Sequence, residues 1–160
     1  FIFDTETNKL LHTLESDTDG IRCCKFSKDG RRVVTASGDN TAKIWDAVTG
    51  TLLLTLSGHT HLVNACDFSP DGTRVVTTSL DRTARVWNAE NGTLLWVLEG
   101  RHALAVLGCV FSPNGKRVVT VGNDNKVHVW CTETGECQLI IEGEHTDPLT
   151  CCCFSHDGKY

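Results

Sequence analysis

The chain repeats itself with a period of 42 or 43 residues. Three similar segments, VVTASGDNTAKIWD, VVTTSLDRTARVWN and VVTVGNDNKVHVWC, end at positions 46, 88 and 131. Four shorter segments, FSKDG, FSPDG, FSPNG and FSHDG, begin at positions 26, 68, 111 and 154 and follow the same period. Two sets of landmarks with one spacing identify a repeat protein, so the fold must be built from one structural unit per repeat.

Each period is typical of four short strands and contains no segment that predicts a helix. The second complete period contains VNACDF, RVVTTS, ARVWNA and TLLWVL, which are rich in Val, Leu, Thr and aromatic residues. Turn sequences at 70–72, 80–82 and 90–92 separate these runs. Four short antiparallel strands in 40–45 residues form one blade of a β-propeller. The sequence therefore predicts an all-β chain of four-stranded antiparallel blades with almost no helix.

The residues at fixed places in each repeat resemble those of the WD40 repeat family. Gly58-His59, Asp81 and Trp87-Asn88 fall where that family has its Gly-His pair, its turn Asp and its Trp-Asp pair. The resemblance covers essentially the whole chain and implies a single propeller domain over 1–160. Such propellers usually have seven blades, so we expect an incomplete ring here. The expected blades are 21–58, 63–100 and 105–143, with parts of two others at 1–16 and 149–160.

The resemblance also implies a hydrogen-bonded brace inside each blade, made from a His, a Ser or Thr, an Asp and a Trp. One blade supplies His59, Thr77, Asp81 and Trp87. The matching residues elsewhere are His102, Thr120, Asp124 and Trp130 in the following blade and Thr35, Asp39 and Trp45 in the preceding one.

The preceding blade departs from the pattern, because Asp17 stands where the brace His is expected. Two carboxylates facing each other would repel, so we expect a rebuilt loop there. Removing Asp39 should then cost less stability than removing Asp81, since its network is incomplete.

A Thr, His and Asp set could also indicate a hydrolase triad. A triad occurs once in an enzyme and needs an exposed nucleophile over an oxyanion hole. Here the set recurs at the repeat period with its Thr inside a predicted strand, and no Gly-x-Ser-x-Gly elbow is present. The sequence therefore favours a structural role, and it predicts no catalytic residues and no enzyme.

Four of the nine cysteines share one repeat position, two residues before the anchoring Phe: Cys24, Cys66, Cys109 and Cys152. Residues two apart in a strand share a face, so these thiols should lie buried and free between blades, beside Phe26, Phe68, Phe111 and Phe154. Apolar residues also stand five before each Phe, at Ile21, Val63, Val106 and Leu149, and this odd spacing predicts a bulge in the first strand. Adjacent side chains in a strand face opposite ways, so 151–153 should not converge on a metal ion. We expect no metal, no cofactor and a reducing compartment, the cytoplasm or the nucleus.

Charge and hydropathy exclude some partners. The net charge is −5, and no Lys/Arg run exceeds Arg31-Arg32, which disfavours a nucleic-acid partner. No apolar run approaches the roughly 18 residues of a membrane span, and no motif indicates a small-molecule substrate. The remaining expectation is a rigid scaffold or adaptor whose loops bind proteins or peptides.

The candidate contact residues lie in loops beside the brace: Asn40, His61, Leu80, Arg82, Arg101, Asn123 and Asn125. Trp96 is a further candidate, since it occupies an outer-strand position held by Leu54 and Leu139 elsewhere. It either marks a partner site or packs on a neighbouring loop.

Two other functions compete with the scaffold. One is the sensory or autoinhibitory propeller of a signalling ATPase, although no Walker-type motif occurs in this sequence. The other is the substrate receptor of a ubiquitin ligase. Such receptors often carry Arg two residues after the Trp-Asp pair. That feature is missing here, where the positions hold Val48, Glu90 and Glu133.

Overall fold

The computed structural model describes residues 1–15, 19–143 and 145–160. In this part of the chain every regular element is a strand, as predicted. Accordingly, the described residues include no helix that could cross a bilayer.

Three antiparallel four-stranded sheets form the body of the chain, and each sheet uses four consecutive strands. The first sheet consists of β3 (Ile21–Phe26), β4 (Arg32–Ser37), β5 (Thr41–Asp46) and β6 (Leu52–Ser57). The second consists of β7 (Val63–Phe68), β8 (Arg74–Ser79), β9 (Ala84–Asn88) and β10 (Leu94–Leu98). The third consists of β11 (Val106–Phe111), β12 (Arg117–Gly122), β13 (Lys126–Cys131) and β14 (Cys137–Glu142).

A two-stranded sheet of β1 (Ile2–Phe3) and β2 (Leu10–His12) precedes them. Residues 149–160 were expected to open a further blade, but they form no strand. No strand of the described chain pairs with them in a sheet. The turn of this segment is nevertheless formed, since Ser155 Oγ donates to Asp157 Oδ1 at 2.7 Å, as Ser69 Oγ does to Asp71 Oδ1 at 2.6 Å.

The three sheets share one register in detail. Each first strand has a bulge at the same point, between Ile21 and Cys23 in the first sheet, as the sequence spacing predicted. The equivalent bulges lie between 63 and 65 and between 106 and 108. Because a bulge adds one residue, residues five apart on either side of it, such as Ile21 and Phe26, lie on the same face of the sheet.

The cores lie between sheets rather than within them. Between the first two sheets, Ile44, Leu56 and Val34 of one pack against Phe68 and Val75 of the other. The next layer contains Val76, Val86, Phe111, Val118 and Trp130. Each sheet therefore depends on its neighbour for the burial of its apolar side chains.

Polar side chains also join the sheets on the side that carries the β3–β4 turn. Arg32 Nη2 donates to Gly72 O at 2.6 Å, and Nη1 donates to Ala89 O at 3.2 Å, both in the next sheet. Arg74, one repeat later, donates in the same way to Thr132 O at 2.9 Å.

The cysteine prediction is correct in register but wrong in burial for one residue. The thiols of Cys66, Cys109 and Cys152 lie 3.7, 3.9 and 3.9 Å from carbonyl oxygens of Val34, Val76 and Val119 in the preceding sheet. Cys66 is buried, and the other two are half-buried.

Cys24, however, is exposed, and so is Phe26. Their neighbour is the two-stranded sheet, which covers only part of the face. It leaves a cavity of about 380 Å³ beside Phe1, Leu14 and Ile21.

Candidate functional site

A chain of hydrogen bonds runs through the second sheet. Trp87 Nε1–H donates to Thr77 Oγ1 at 2.9 Å, and the Thr77 hydroxyl lies 2.8 Å from His59 Nε2. His59 Nδ1 lies 2.7 Å from Asp81 Oδ2. Since Thr77 accepts from the indole, its own proton is free for Nε2. The neutral imidazole then carries its proton on Nδ1 and donates it to the carboxylate.

The Asp of this chain also closes the turn in which it lies. Asp81 Oδ1 accepts from the backbone N–H of Thr83 at 2.9 Å and from its hydroxyl at 2.7 Å. Asp81 Oδ2 accepts from the N–H of Thr60 at 3.1 Å, in the loop before β7. Burial opposes ionisation of Asp81, but the hydrogen bonds from His59 and Thr83 outweigh it and hold its pKa below the ordinary value.

The third sheet repeats this network. Trp130 Nε1–H donates to Thr120 Oγ1 at 2.8 Å, Thr120 lies 2.8 Å from His102 Nε2, and His102 Nδ1 lies 2.8 Å from Asp124 Oδ2. Burial lowers the pKa of His102, more than the neighbouring Asp124 raises it. The neutral tautomer inferred for His59 therefore applies here as well.

The first sheet keeps the pattern with one replacement that sequence reasoning missed. Trp45 Nε1–H donates to Thr35 Oγ1 at 3.0 Å, as in the other sheets. Asp39 Oδ1 accepts from Thr41, and Asp39 Oδ2 lies 2.7 Å from Lys43 Nζ. An ammonium thus binds the carboxylate that an imidazole binds elsewhere. Asp17, which was predicted to oppose Asp39, lies outside the described residues.

A comparison of repeat positions could have found this replacement. Lys43, Arg85 and His128 each stand two residues before the Trp of their repeat. All three can carry positive charge, and in the pleat they point toward the same interior. His128 is fully buried, and neither of its ring nitrogens has a hydrogen-bond partner among the described residues. Burial lowers its pKa to about 4.

His102, Asp124 and His128 form the one group in the described chain with ligand atoms close enough for a metal ion, within 4.8 Å of one another. The two imidazole rings lie face to face, with centroids 3.9 Å apart and planes tilted by 30°. Ring-nitrogen lone pairs lie in the ring plane, so stacked rings do not direct them at a common point. Both nitrogens of His102 are also engaged already. The geometry therefore does not favour a metal here.

The braces themselves offer no surface for chemistry. Thr77 and Thr120 have no exposed area, and His59 and His102 are 6% and 7% exposed. A nucleophile must reach its substrate, and a buried hydroxyl that already hydrogen-bonds an imidazole and an indole cannot. The network fixes loops instead, because Asp81 and Asp124 each tie a β-turn to the loop that enters the same sheet.

Those loops lie on one side of the sheets, which we call the turn-Asp face. It consists of the β4–β5, β8–β9 and β12–β13 turns and the loops between consecutive sheets. His61, Arg82 and Arg101 are exposed there, whereas Leu80, Asn40, Asn123 and Asn125 are half-buried. Leu104, exposed by 51%, belongs to the same face and was missed because its loop has no repeated landmark.

One residue of this face has a backbone conformation that its side chain disfavours. Arg82 has φ of +70°, in the left-handed region, as do Asn40 and Asn125 at the equivalent positions. Asn tolerates this region, but an L residue with a long side chain costs roughly 1–2 kcal/mol there.

Trp96 lies away from the turn-Asp face. It is 37% exposed, and its Nε1–H donates to Thr132 O of the next sheet at 3.2 Å. Its ring rests on Gly135, where an added Cβ would lie 3.0 Å from the ring. His12, at the same repeat position, similarly lies 2.7 Å from Val48 O. The structure shows Trp96 packed on a neighbouring loop, and its role as a partner contact stays a prediction.

The comparison with protein families agrees with this geometry. The family described as WD domain, G-beta repeat matches residues 8–46, 50–88, 92–131 and 135–160. Each of the first three matches begins just before the last strand of one sheet and ends with the third strand of the next, so a sequence repeat joins two sheets. No curated protein matches the chain. WD40 repeats generally mediate protein–protein interaction and are generally non-catalytic. With four matched repeats covering most of its length, the chain belongs to the WD40 repeat family.

Proposed function

We propose that this chain is a non-catalytic scaffold or adaptor that binds a protein or peptide on the turn-Asp face. The observation that carries the proposal is the left-handed backbone of Arg82. Backbone strain that is cheaply avoidable tends to persist where it serves function. Asn would relieve it, as at the two equivalent turns. The Arg side chain at this position is therefore best explained by a partner.

The surroundings of Arg82 suit a peptide. Leu80 N donates to Leu62 O at 3.2 Å, and Ser79 Oγ donates to His61 O at 2.8 Å, so the turn is fixed beside the loop that carries His61. β9 and β10 pair Ala84 with Leu98, which brings the strand end before Arg101 to the same turn. A guanidinium with nearby apolar and imidazole side chains fits a peptide carboxylate flanked by an apolar residue.

The proposal includes a reducing compartment, the cytoplasm or the nucleus. What supports it is the use of cysteine as a small interior side chain, as at Cys66, with all nine thiols free. The net charge of −5 supports a protein partner over a nucleic acid, because nucleic acids are themselves anionic.

The test is selection of displayed random peptides on the immobilised chain, followed by binding measurements with Arg82→Asn. We expect selected peptides to contain Asp or Glu and to lose at least ten-fold in affinity for the variant. The free energy of unfolding of the variant should also be higher by about 1 kcal/mol, because Asn tolerates the left-handed region.

The matched control is Arg31→Asn, which removes an exposed Arg from the β3–β4 turn on the opposite side of the sheets. It should leave peptide affinity unchanged. Affinity that falls with Arg31→Asn and survives Arg82→Asn would place the binding surface elsewhere and overturn the proposal.

A further inference from the structure

Two thiols meet at the junction of the first and second sheets. Cys23 Sγ lies 3.7 Å from the carbonyl oxygen of Cys66, and Cys66 Sγ lies 3.9 Å from the carbonyl oxygen of Cys23. Each sulfur is thus beside the backbone of the other residue, which places the two side chains next to each other between β3 and β7. Cys23 packs against the buried cluster that contains Cys66.

The repeat shows that this pair is particular to one junction. Cys23 follows the bulge of β3 and pairs with Ala36, and Ala65 and Gly108 hold the same register in β7 and β11. The thiols equivalent to Cys66 in the following repeats, Cys109 and Cys152, lie 3.9 Å from Val76 O and Val119 O, as Cys66 lies 3.7 Å from Val34 O. The repeat register therefore places a second thiol beside this position only at the first junction, because the position of Cys23 is held by Ala65 and Gly108 in the other two sheets.

Cys23 is the more exposed thiol of the pair. A cavity of about 400 Å³ is lined by Cys23, Cys66, Asp67 and residues of the following strands. Cys23 is half-buried, whereas Cys66 is 1% exposed. Contact with Cys66 lowers the pKa of the Cys23 thiol, and contact with Cys23 together with burial raises the pKa of the Cys66 thiol. The accessible thiol is therefore also the one that ionises first.

We propose that Cys23 and Cys66 are a redox pair, oxidised by hydrogen peroxide to a disulfide that links the first two sheets. The Cys23 thiolate attacks one peroxide oxygen, the O–O bond breaks, and hydroxide leaves. Sulfur loses two electrons and becomes a sulfenic acid, while peroxide is reduced. The Cys66 sulfur then attacks the Cys23 sulfur, the S–O bond breaks, and the hydroxyl leaves as water with the proton of Cys66.

The experiment treats the reduced 160-residue chain with hydrogen peroxide, alkylates the remaining thiols, digests the chain and identifies peptides by mass spectrometry. We expect a peptide pair joined through Cys23 and Cys66, about 2 Da lighter than the two free peptides together and separated again by dithiothreitol. The two thiols should be lost in equal amounts and at a rate independent of protein concentration. Cys24, the adjacent exposed thiol, should remain alkylatable.

The repeat supplies matched variants. Cys23→Ala introduces the residue found at this position in the next sheet and should leave Cys66 reduced. Ala65→Cys should create a second disulfide, to Cys109. This test remains valid even if Cys23→Ala folds poorly. Oxidation of Cys23 with Cys66 still free, a Cys24 crosslink, or bridges formed only between molecules would overturn the proposal.

Discussion

Lys43 Nζ lies 2.7 Å from Asp39 Oδ2, in the sheet whose sequence lacks the His that binds the equivalent carboxylate elsewhere. The side chains of Lys43 and Asp39 are only 8% and 15% exposed. The three sheets therefore keep the Asp, Thr and Trp of the brace, and the first differs from the other two in that its Asp binds a Lys instead of a His. This changes the expected effect of removing each Asp.

Asp39→Ala should destabilise the chain at least as much as Asp81→Ala, which reverses the order expected from the sequence. Asp39→Ala removes a carboxylate from a nearly buried ammonium, and breaking such a pair costs about 3 kcal/mol or more. Asp81→Ala removes the acceptor of a neutral imidazole and of two backbone N–H groups, one in the turn and one in the loop before β7, at about 1–3 kcal/mol.

Denaturant unfolding of both variants measures the order. Asp157→Ala, in an exposed turn, is the control and should change stability little. A much smaller loss for Asp39→Ala would mean that Lys43 gains nothing from the contact.

His128→Leu should raise stability and reduce its loss in acid. The imidazole is buried with neither nitrogen hydrogen-bonded to any residue that the structure describes, and an apolar side chain of similar size removes that cost, about 1–3 kcal/mol. Burial, with His102, Lys126 and Arg101 nearby, lowers the pKa of His128 to about 4, although Asp124 opposes this.

The unfolded chain therefore binds the His128 proton more readily than the folded chain. The stability associated with neutral His128 is fully present above pH 6.5, the ordinary His pKa, and is lost as pH falls toward 4. Melting temperatures between pH 7 and 4 should fall less steeply in His128→Leu than in the parent. His156→Leu, at an exposed site, should leave the slope unchanged. An unaltered slope in His128→Leu would rule out this residue as its source.

Gly135→Ala should cost more stability than Gly92→Ala. Both glycines have nearly the same left-handed backbone, with φ of +72° and +73°, so the strain of Ala is matched. A Cβ at 135 would lie 3.0 Å from the Trp96 ring, while one at 92 would lie 3.6 Å from Leu56 and 3.8 Å from Leu54. The difference between the two variants isolates the steric conflict with Trp96.

Trp96→Leu supplies the second half of a double-mutant cycle, because Leu occupies the equivalent position at residue 54. In that background, Gly135→Ala should cost no more than Gly92→Ala. A difference that persists without the indole would show that Trp96 is not its cause.

The landmarks that recur in the sequence predicted most of the fold. The period located the sheets, the spacing of Val63 from Phe68 predicted the bulge, and the recurring His, Thr, Asp and Trp marked the side chains that hydrogen-bond inside each sheet. These features were accessible because every repeat obeys the same packing constraint.

What the sequence did not reveal depends on differences between repeats. The exposure of Cys24 and Phe26 follows from the two-stranded sheet beside them, whereas the repeat pattern assumes a complete neighbour on each side. The contact between Lys43 and Asp39 requires a residue outside the family landmarks to be compared at one repeat position. Trp96 could be read two ways because sequence alone does not show which carbonyl an indole will reach.

Cys131→Asp should stabilise the turn between β13 and β14. Cys131 stands where the equivalent turns have Asp46 and Asn88, and the side-chain oxygen of each accepts two backbone N–H groups. Asp46 accepts from Val48 and Thr49, both at 2.8 Å. Asn88 accepts from Glu90 at 2.8 Å and from Asn91 at 3.2 Å. The backbone of all three turns is alike, since Gly135 N donates to Cys131 O at the same 2.9 Å found for Gly50 and Gly92.

A thiol is a weak acceptor for those N–H groups. The Thr134 hydroxyl and the N–H groups of Glu133 and Thr134 lower the pKa of Cys131, which shows that the turn favours an anion at this place. A carboxylate should therefore gain up to about 1 kcal/mol over the thiol. Cys131→Asn should gain less because it is neutral, and Cys131→Ala should lose stability because it offers no acceptor. Denaturant unfolding at pH 7 ranks the four proteins, and an Asp variant no more stable than the Ala variant would contradict the role of the turn as an anion site.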